Sequence, residues 1–164
     1  GAIGDPAVDD LLALLEDTED RAARRLQPYA IRALGRSGTD DPRAIDALID
    51  RLDANRPRTA ALAATALGRL GAVAAVPKLI DLLAFPEDRK AARRHEEVAK
   101  AAVIALGRIG DRRAVEPIIR LFGQRFSTVV VYSIRGAQDR ALQRITGKKL
   151  TGRAAWQRWL DASR

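Results

Sequence analysis

The stretch Ala105-Leu106-Gly107-Arg108-Ile109-Gly110-Asp111, followed by Ala114-Val115-Glu116-Pro117-Ile118-Ile119, decides how the rest of the chain is read. Its opening phrase recurs as Ala33-Leu34-Gly35-Arg36 and Ala66-Leu67-Gly68-Arg69, and in altered form as Ala141-Leu142-Gln143-Arg144. The leucines stand 33, 39 and 36 positions apart, from 34 to 67, 106 and 142. A period of that length is the signature of helical hairpins that stack side by side and cover one another's apolar flanks.

Each phrase is followed by a turn and a second periodic segment, which opens with Ala7-Val8, Ala44-Ile45, Ala75-Val76 or Ala114-Val115. Apolar residues then fall at helical spacing, as at Val76, Leu79, Ile80 and Leu83, which is one amphipathic face. Pro77 and Pro117 sit near the helix start, where a missing N–H costs little. In the segment carrying the phrase, alanines 33, 66, 105 and 141, with 30, 63 and 102 one turn earlier, let neighbouring backbones approach. Glycines 38, 71, 110 and 147 are expected helix stops, because glycine enters the left-handed conformation without a steric penalty. Arg36, Arg69, Arg108 and Arg144 fall in the last turn, where they complement the negative helix end or form a binding ladder.

The spacing predicts a lone second helix over 7–16 and then four pairs. First helices are expected over 20–36, 57–70, 87–109 and 127–146, with partners over 43–53, 74–84, 113–122 and 152–162. Pro28 is expected to kink or restart the first of them.

At 164 residues and 47% apolar, the chain has enough Ala, Leu, Ile and Val to bury a substantial core. No apolar run is long enough for a transmembrane helix. The absence of cysteine excludes disulfides and thiolate chemistry, and it leaves the compartment open, with the cytoplasm favoured. Gly1-Ala2-Ile3-Gly4-Asp5 matches Gly107 to Asp111, so the chain is expected to begin in mid-repeat, as the C-terminal part of a longer array. The expected domain is 1–164.

On these residues the chain resembles a HEAT-repeat solenoid of the bacterial type named after phycobilisome lyase subunits. The run from 105 to 119 carries that pattern nearly intact. The resemblance implies an all-α, right-handed α-α superhelix of about nine helices, with first helices on a convex side and second helices lining a concave one. It implies little about function, since the family holds lyases, scaffolds, transport adaptors and nucleic-acid enzymes. The last pair departs from the pattern: Gln138 and Asp139 replace apolar residues, and Trp156 and Trp159 share one face of the final helix. Those tryptophans are expected to seal the stack, making 148–164 a C-terminal cap rather than a stacking site for bases.

Little here points to catalysis. His95-Glu96 is similar to the His-Glu pairs with which deoxyhypusine hydroxylase holds iron, but the other repeats lack such pairs. His95 is therefore expected to be an exposed histidine in a charged helix, with no metal and no cofactor. Glycines such as Gly35 and Gly38 end helices and do not open them, so they form no phosphate loop. The aromatics that HEAT-like alkylpurine glycosylases place on a positive concave face are not matched. A non-enzymatic role is expected.

Charge is the best functional signal. Residues 1–82 hold 11 basic and 13 acidic groups, whereas 83–164 hold 18 and 8. Over 20–37, 56–71, 87–109 and 127–147, the first-helix segments carry 17 basic against 6 acidic residues. The early second helices carry Asp9, Asp10, Glu16, Asp46, Asp50, Asp53 and Asp81 against Arg43, Arg51 and Lys78. A phosphate cradle needs cations on the gripping face, so this distribution argues against concave DNA binding. It favours a strip of Asp46, Asp50, Asp53 and Asp81 that grips a basic or amphipathic protein segment. Arg89, Lys90, Arg93 and Arg94 form a second, basic stripe, suited to nucleic acid, acidic lipid or an acidic protein, or to solvent alone. The excess of 24 Arg over 5 Lys suits phosphate recognition, and a genome rich in G and C gives the same bias. The β-branched run Val129-Val130-Val131 is a poor helix former that packing must hold, or else it is partly extended.

The expected function is a protein-interaction scaffold, present as a monomer or weak dimer. Two alternatives stand beside it. One is nucleic-acid binding through the basic convex and C-terminal surface. The other, by family analogy alone, is a tetrapyrrole lyase-like subunit or chaperone.

Overall fold

The computed structural model describes residues 5–17, 19–86, 88–124 and 128–163, with side chains for all of these but 89 and 128–133. The matching run at Gly1–Gly4 lies outside the described residues. Among the described residues the chain is all α-helical, an array of stacked helices with no strand. The elements are α1 (Pro6–Glu16), α2 (Arg21–Ser37), α3 (Pro42–Ile49), α4 (Pro57–Leu70), α5 (Val76–Asp81), α6 (Arg89–Ile109), α7 (Val115–Leu121), α8 (Thr128–Thr146) and α9 (Arg153–Ala162). Short 3-10 turns, Val73–Ala75 and Arg112–Ala114, lead into α5 and α7.

The boundaries follow from capping chemistry. Asp5, Asp20, Asp41 and Asp88 each accept a hydrogen bond from a first-turn N–H of the helix they precede, and Asp111 does so for the 3-10 turn. Pro6, Pro42 and Pro57 occupy first helical positions. Gly38, Gly71 and Gly110 close α2, α4 and α6 with φ of 69°, 65° and 81°, as their position in the phrase predicts. Gly147 follows α8 at φ 72°. Two segments whose course the sequence left open are helical throughout. The α2 helix runs through Pro28 without restarting, and the backbone over Val129–Val131 is helical within α8.

Helices α2, α4, α6 and α8 form one layer, each packed on the next. Their phrase leucines, Leu34, Leu67, Leu106 and Leu142, are completely buried, and each contributes about 1.5–3 kcal/mol by leaving water. The shorter helices form a second layer, in which each packs on the long helix that follows it: α1 on α2, α3 on α4, α5 on α6 and α7 on α8. The helix α1, read in the sequence as a lone second helix, packs on α2. One continuous apolar cluster runs between the layers from Val8 to Trp156.

The glycine inside the phrase has a role of its own. A β-carbon built on Gly35, Gly68 or Gly107 would stand 2.6 Å from an atom of Ala66, Ala105 or Ala141 on the next helix. The glycine of one repeat and the alanine of the next therefore set how closely the long helices approach. Gln143 takes the glycine's place on α8 and donates to the Leu150 carbonyl at 3.0 Å.

The departures in the last repeat are explained by α9. Asp139 accepts hydrogen bonds from the Gly152 N–H and the Trp156 Nε1–H, both at 2.9 Å. Trp156 is completely buried, and Trp159 packs edge-on to it with ring centroids 6.0 Å apart. Gln138 is buried as well, donating from Nε2 to the Ile118 carbonyl of α7 at 3.1 Å.

Candidate functional site

Second-layer helices α3 and α5 flank a groove of about 520 Å³. Its apolar lining comes from Ile49, Leu52, Leu82 and Pro86. Three carboxylates also line it: Asp50 and Asp53 from the end of α3 and the turn beyond, and Asp81 from the end of α5. Lys78 is the lysine of the lining. Asp50 and Asp81 are exposed, while Asp53 is half-buried and accepts from the backbone N–H and side chain of Asn55 at 2.9 and 3.1 Å. Of the predicted strip, the structure thus gathers Asp50, Asp53 and Asp81. Asp46 is not in the lining; it is exposed on α3 one helical turn before Asp50.

The two arginines read as offsetting this acidity are engaged elsewhere. Arg43 bonds Asp41 at 2.7 Å and Asp9 at 2.8 Å, which ties α3 to α1. The Arg43 guanidinium holds the Asp41 carboxyl below its ordinary value, and the two carboxylates raise the pKa of Arg43 in turn. Arg51 turns inward, donating to the Ala47 carbonyl at 2.9 Å and to the Leu15 carbonyl at the end of α1. Burial lowers its pKa, with Asp50 and Glu16 opposing. Lys78 is the cation of the groove's own lining, and Arg51 and Arg56 line an adjoining cleft of about 180 Å³ together with Asp50 and Asp53.

His95 corrects the expectation that it is exposed. It is only 5% accessible, with Nε2 at 2.7 Å from the Leu82 carbonyl and its ring edge-on to Phe85 at 5.1 Å. The longer third repeat folds α6 back over the turn after α5, and His95 closes the inner wall of the groove. Glu96 is buried beside it. Among the described residues no group of three or more His, Cys, Asp or Glu is placed to hold a metal ion.

The predicted basic stripe lies on the first turns of α6. Lys90, Arg93 and Arg94 are exposed, and Arg94 Nε donates to the Lys90 carbonyl at 3.4 Å. The side chain of Arg89 lies outside the described residues. Asp88 caps this helix at the Ala91 N–H, 2.7 Å away.

Sequence reasoning missed a second set of grooves, between consecutive long helices. Arg32 and Arg36 of α2 and Arg69 of α4 line one of about 110 Å³. Arg108 of α6 with Arg140 and Arg144 of α8 line another of about 180 Å³. The signal was present in the phrase itself, whose arginine follows the contact glycine at 36, 69 and 108.

No helix among the described residues is long and apolar enough to cross a membrane. The model of HEAT repeats matches residues 8–95, and that of the PBS lyase HEAT-like repeat matches 98–124. No curated protein matches the chain. HEAT repeats generally serve as non-catalytic scaffolds and usually bind protein partners. With its stacked helical layers and more than half its length matched, the chain belongs to the HEAT-repeat family.

Proposed function

We propose that this protein is a scaffold that holds a basic, amphipathic polypeptide segment in the groove between α3 and α5. The observation that carries the reading is the composition of that groove, where three carboxylates stand with one lysine over an apolar lining. Such a surface takes the long stems of Lys or Arg against its apolar lining and their charged heads against Asp50, Asp53 and Asp81. Charge of one sign steers the encounter and rejects acidic segments, and apolar contact supplies residence time. The implied second-layer position is the concave side of the solenoid, where Asp46 extends the strip along α3. In the same reading α9 is the terminal cap, because Gln143 replaces the glycine that a further long helix would need.

Fluorescence anisotropy with a labelled peptide of alternating Lys and Leu, and with its Glu–Leu counterpart, tests the proposal. The basic peptide should bind and the acidic one should not. Asp50→Lys with Asp81→Lys should weaken binding at least tenfold. Equal affinity for both peptides, or no effect of the double substitution, would refute it.

A further inference from the structure

We propose that the opposite layer binds nucleic acid through its phosphate backbone, without regard to base sequence. The surface is the ladder formed by Arg36, Arg69, Arg108 and Arg144, one on each long helix, with Arg32 and Arg140 one turn earlier on the outer two helices. All six are exposed. Among the described residues none of them forms an ion pair or donates a side-chain hydrogen bond, in contrast to Arg43, Arg51, Arg113 and Arg120 of the second layer.

The register follows from the packing already described. Gly35, Gly68 and Gly107 fix each long helix against the next, and Arg36, Arg69 and Arg108 are the residues immediately after them. Arg144 follows Gln143 in the same register. Helices in contact lie about 8–10 Å apart, so four in a row carry the ladder across roughly 25–30 Å. That is roughly eight nucleotide steps of a duplex strand at 3.4 Å each.

Acidic side chains are scarce on this face. Helices α2 and α4 contain none, and α6 exposes Glu97 alone. The carboxylate in the later half of α8, Asp139, is turned to Trp156 and Gly152. Interaction with the negative helix ends stabilises arginines at these positions by only about 0.3–1 kcal/mol and leaves the guanidinium free to meet an anion.

Two observations favour nucleic acid over other polyanions. Leu26 and Tyr29 are exposed on α2, but α4, α6 and residues 134–146 of α8 expose no aromatic or long apolar side chain that could enter a bilayer. The cations are all arginine, whose planar fork matches phosphate oxygens, at the regular interval that a linear charge array accepts. With no Asn, Gln or aromatic between the arginines on the middle two helices to read base edges, binding is indifferent to sequence. The proposal does not rest on the acidic groove, which faces the other layer.

The test is anisotropy of a labelled random-sequence 30-base-pair DNA against the full chain, at several salt concentrations. Binding at 50 mM salt should weaken steeply by 200 mM, with a log–log slope of about −4 to −5 if some five phosphates are neutralised. Arg69→Glu with Arg108→Glu should weaken binding at least tenfold at 50 mM salt and flatten the slope by about two units. The milder Arg69→Gln with Arg108→Gln should follow in the same direction. Arg112→Glu with Arg120→Glu carries the same charge change on the second layer and should stay within about threefold of wild type. Asp50→Lys with Asp81→Lys should bind DNA no more weakly than wild type, which separates this proposal from that of the peptide groove. The absence of binding at 50 mM salt would overturn it, as would equal losses in ladder and control variants. So would ladder-dependent binding of polyglutamate or phosphatidylserine vesicles at the affinity shown for DNA.

Discussion

Gly68 lies so close to Ala105 that a β-carbon on the glycine would stand 2.6 Å from the Ala105 Cα. That approach repeats at Gly35 with Ala66 and at Gly107 with Ala141, and it holds the long-helix layer together. Gly68→Ala opposes two effects. Alanine gains about 1 kcal/mol in helix propensity, while forcing a methyl group into backbone costs about 1–3 kcal/mol or more by overpacking. Because the obstacle is main chain, overpacking should win. The variant should lose about 1–2 kcal/mol in urea denaturation. Stabilisation by Gly68→Ala would contradict the packing account.

The repeat, the helix order and the left-handed glycine stops were legible in the sequence, because periodicity and turn chemistry are local. The contact role of Gly35, Gly68 and Gly107 was not, since a glycine one turn before a stop reads as part of the same stop. His95 was misread for a related reason. Its charged neighbours Arg93, Arg94 and Glu97 suggested solvent, but its burial depends on Leu82 and Phe85 in the preceding turn. Arg51 reads as a counter-charge to the acidic strip, but its contact with the Leu15 carbonyl, 36 residues away, is not encoded in any local pattern. The strip itself was half legible: Asp50, Asp53 and Asp81 meet in one groove, and Asp46 remains on the open face of α3.

Asp139→Ala should release α9. The substitution leaves the buried Trp156 Nε1–H without its acceptor and removes the hydrogen bond to the Gly152 N–H, a loss of about 1–3 kcal/mol. Tryptophan fluorescence should shift to the red, and amide exchange over residues 153–162 should accelerate before that of α4 or α6. Unchanged emission and exchange would show that Asp139 does not anchor the helix.

Acid should weaken the fold through Asp41 and Asp111. The hydrogen bonds from Arg43 and Arg113 depress both carboxyls below their ordinary value of 3.8. A depressed folded-state pKa means that the stabilisation is fully present above the unfolded value, near 3.9, and is lost as pH falls through the lower folded value. Denaturation midpoints should therefore show no pH dependence from this pair between pH 7 and 5, and a decline below about pH 4. Asp41→Asn keeps a capping side chain and should flatten the acid limb. An equally steep limb in that variant would place the acid sensitivity elsewhere.

The outer flank of α2 should support weak self-association. Leu26 and Tyr29 are 45% and 65% exposed, whereas the counterparts of Leu26 in the repeat, Val98 and Ile134, are buried. Pairing of two α2 flanks would cover both side chains. Sedimentation velocity should show a concentration-dependent dimer that Leu26→Lys with Tyr29→Lys abolishes. A monomer at every concentration would refute it.

The peptide groove is tested most directly by amide chemical-shift mapping on the isotope-labelled full chain, titrated with the basic Lys–Leu peptide. The account predicts that shifts concentrate at Asp50, Asp53, Lys78 and Asp81 and along the buried wall at Leu82 and His95. Shifts that are confined to the long-helix layer, or spread evenly over the surface, would contradict it.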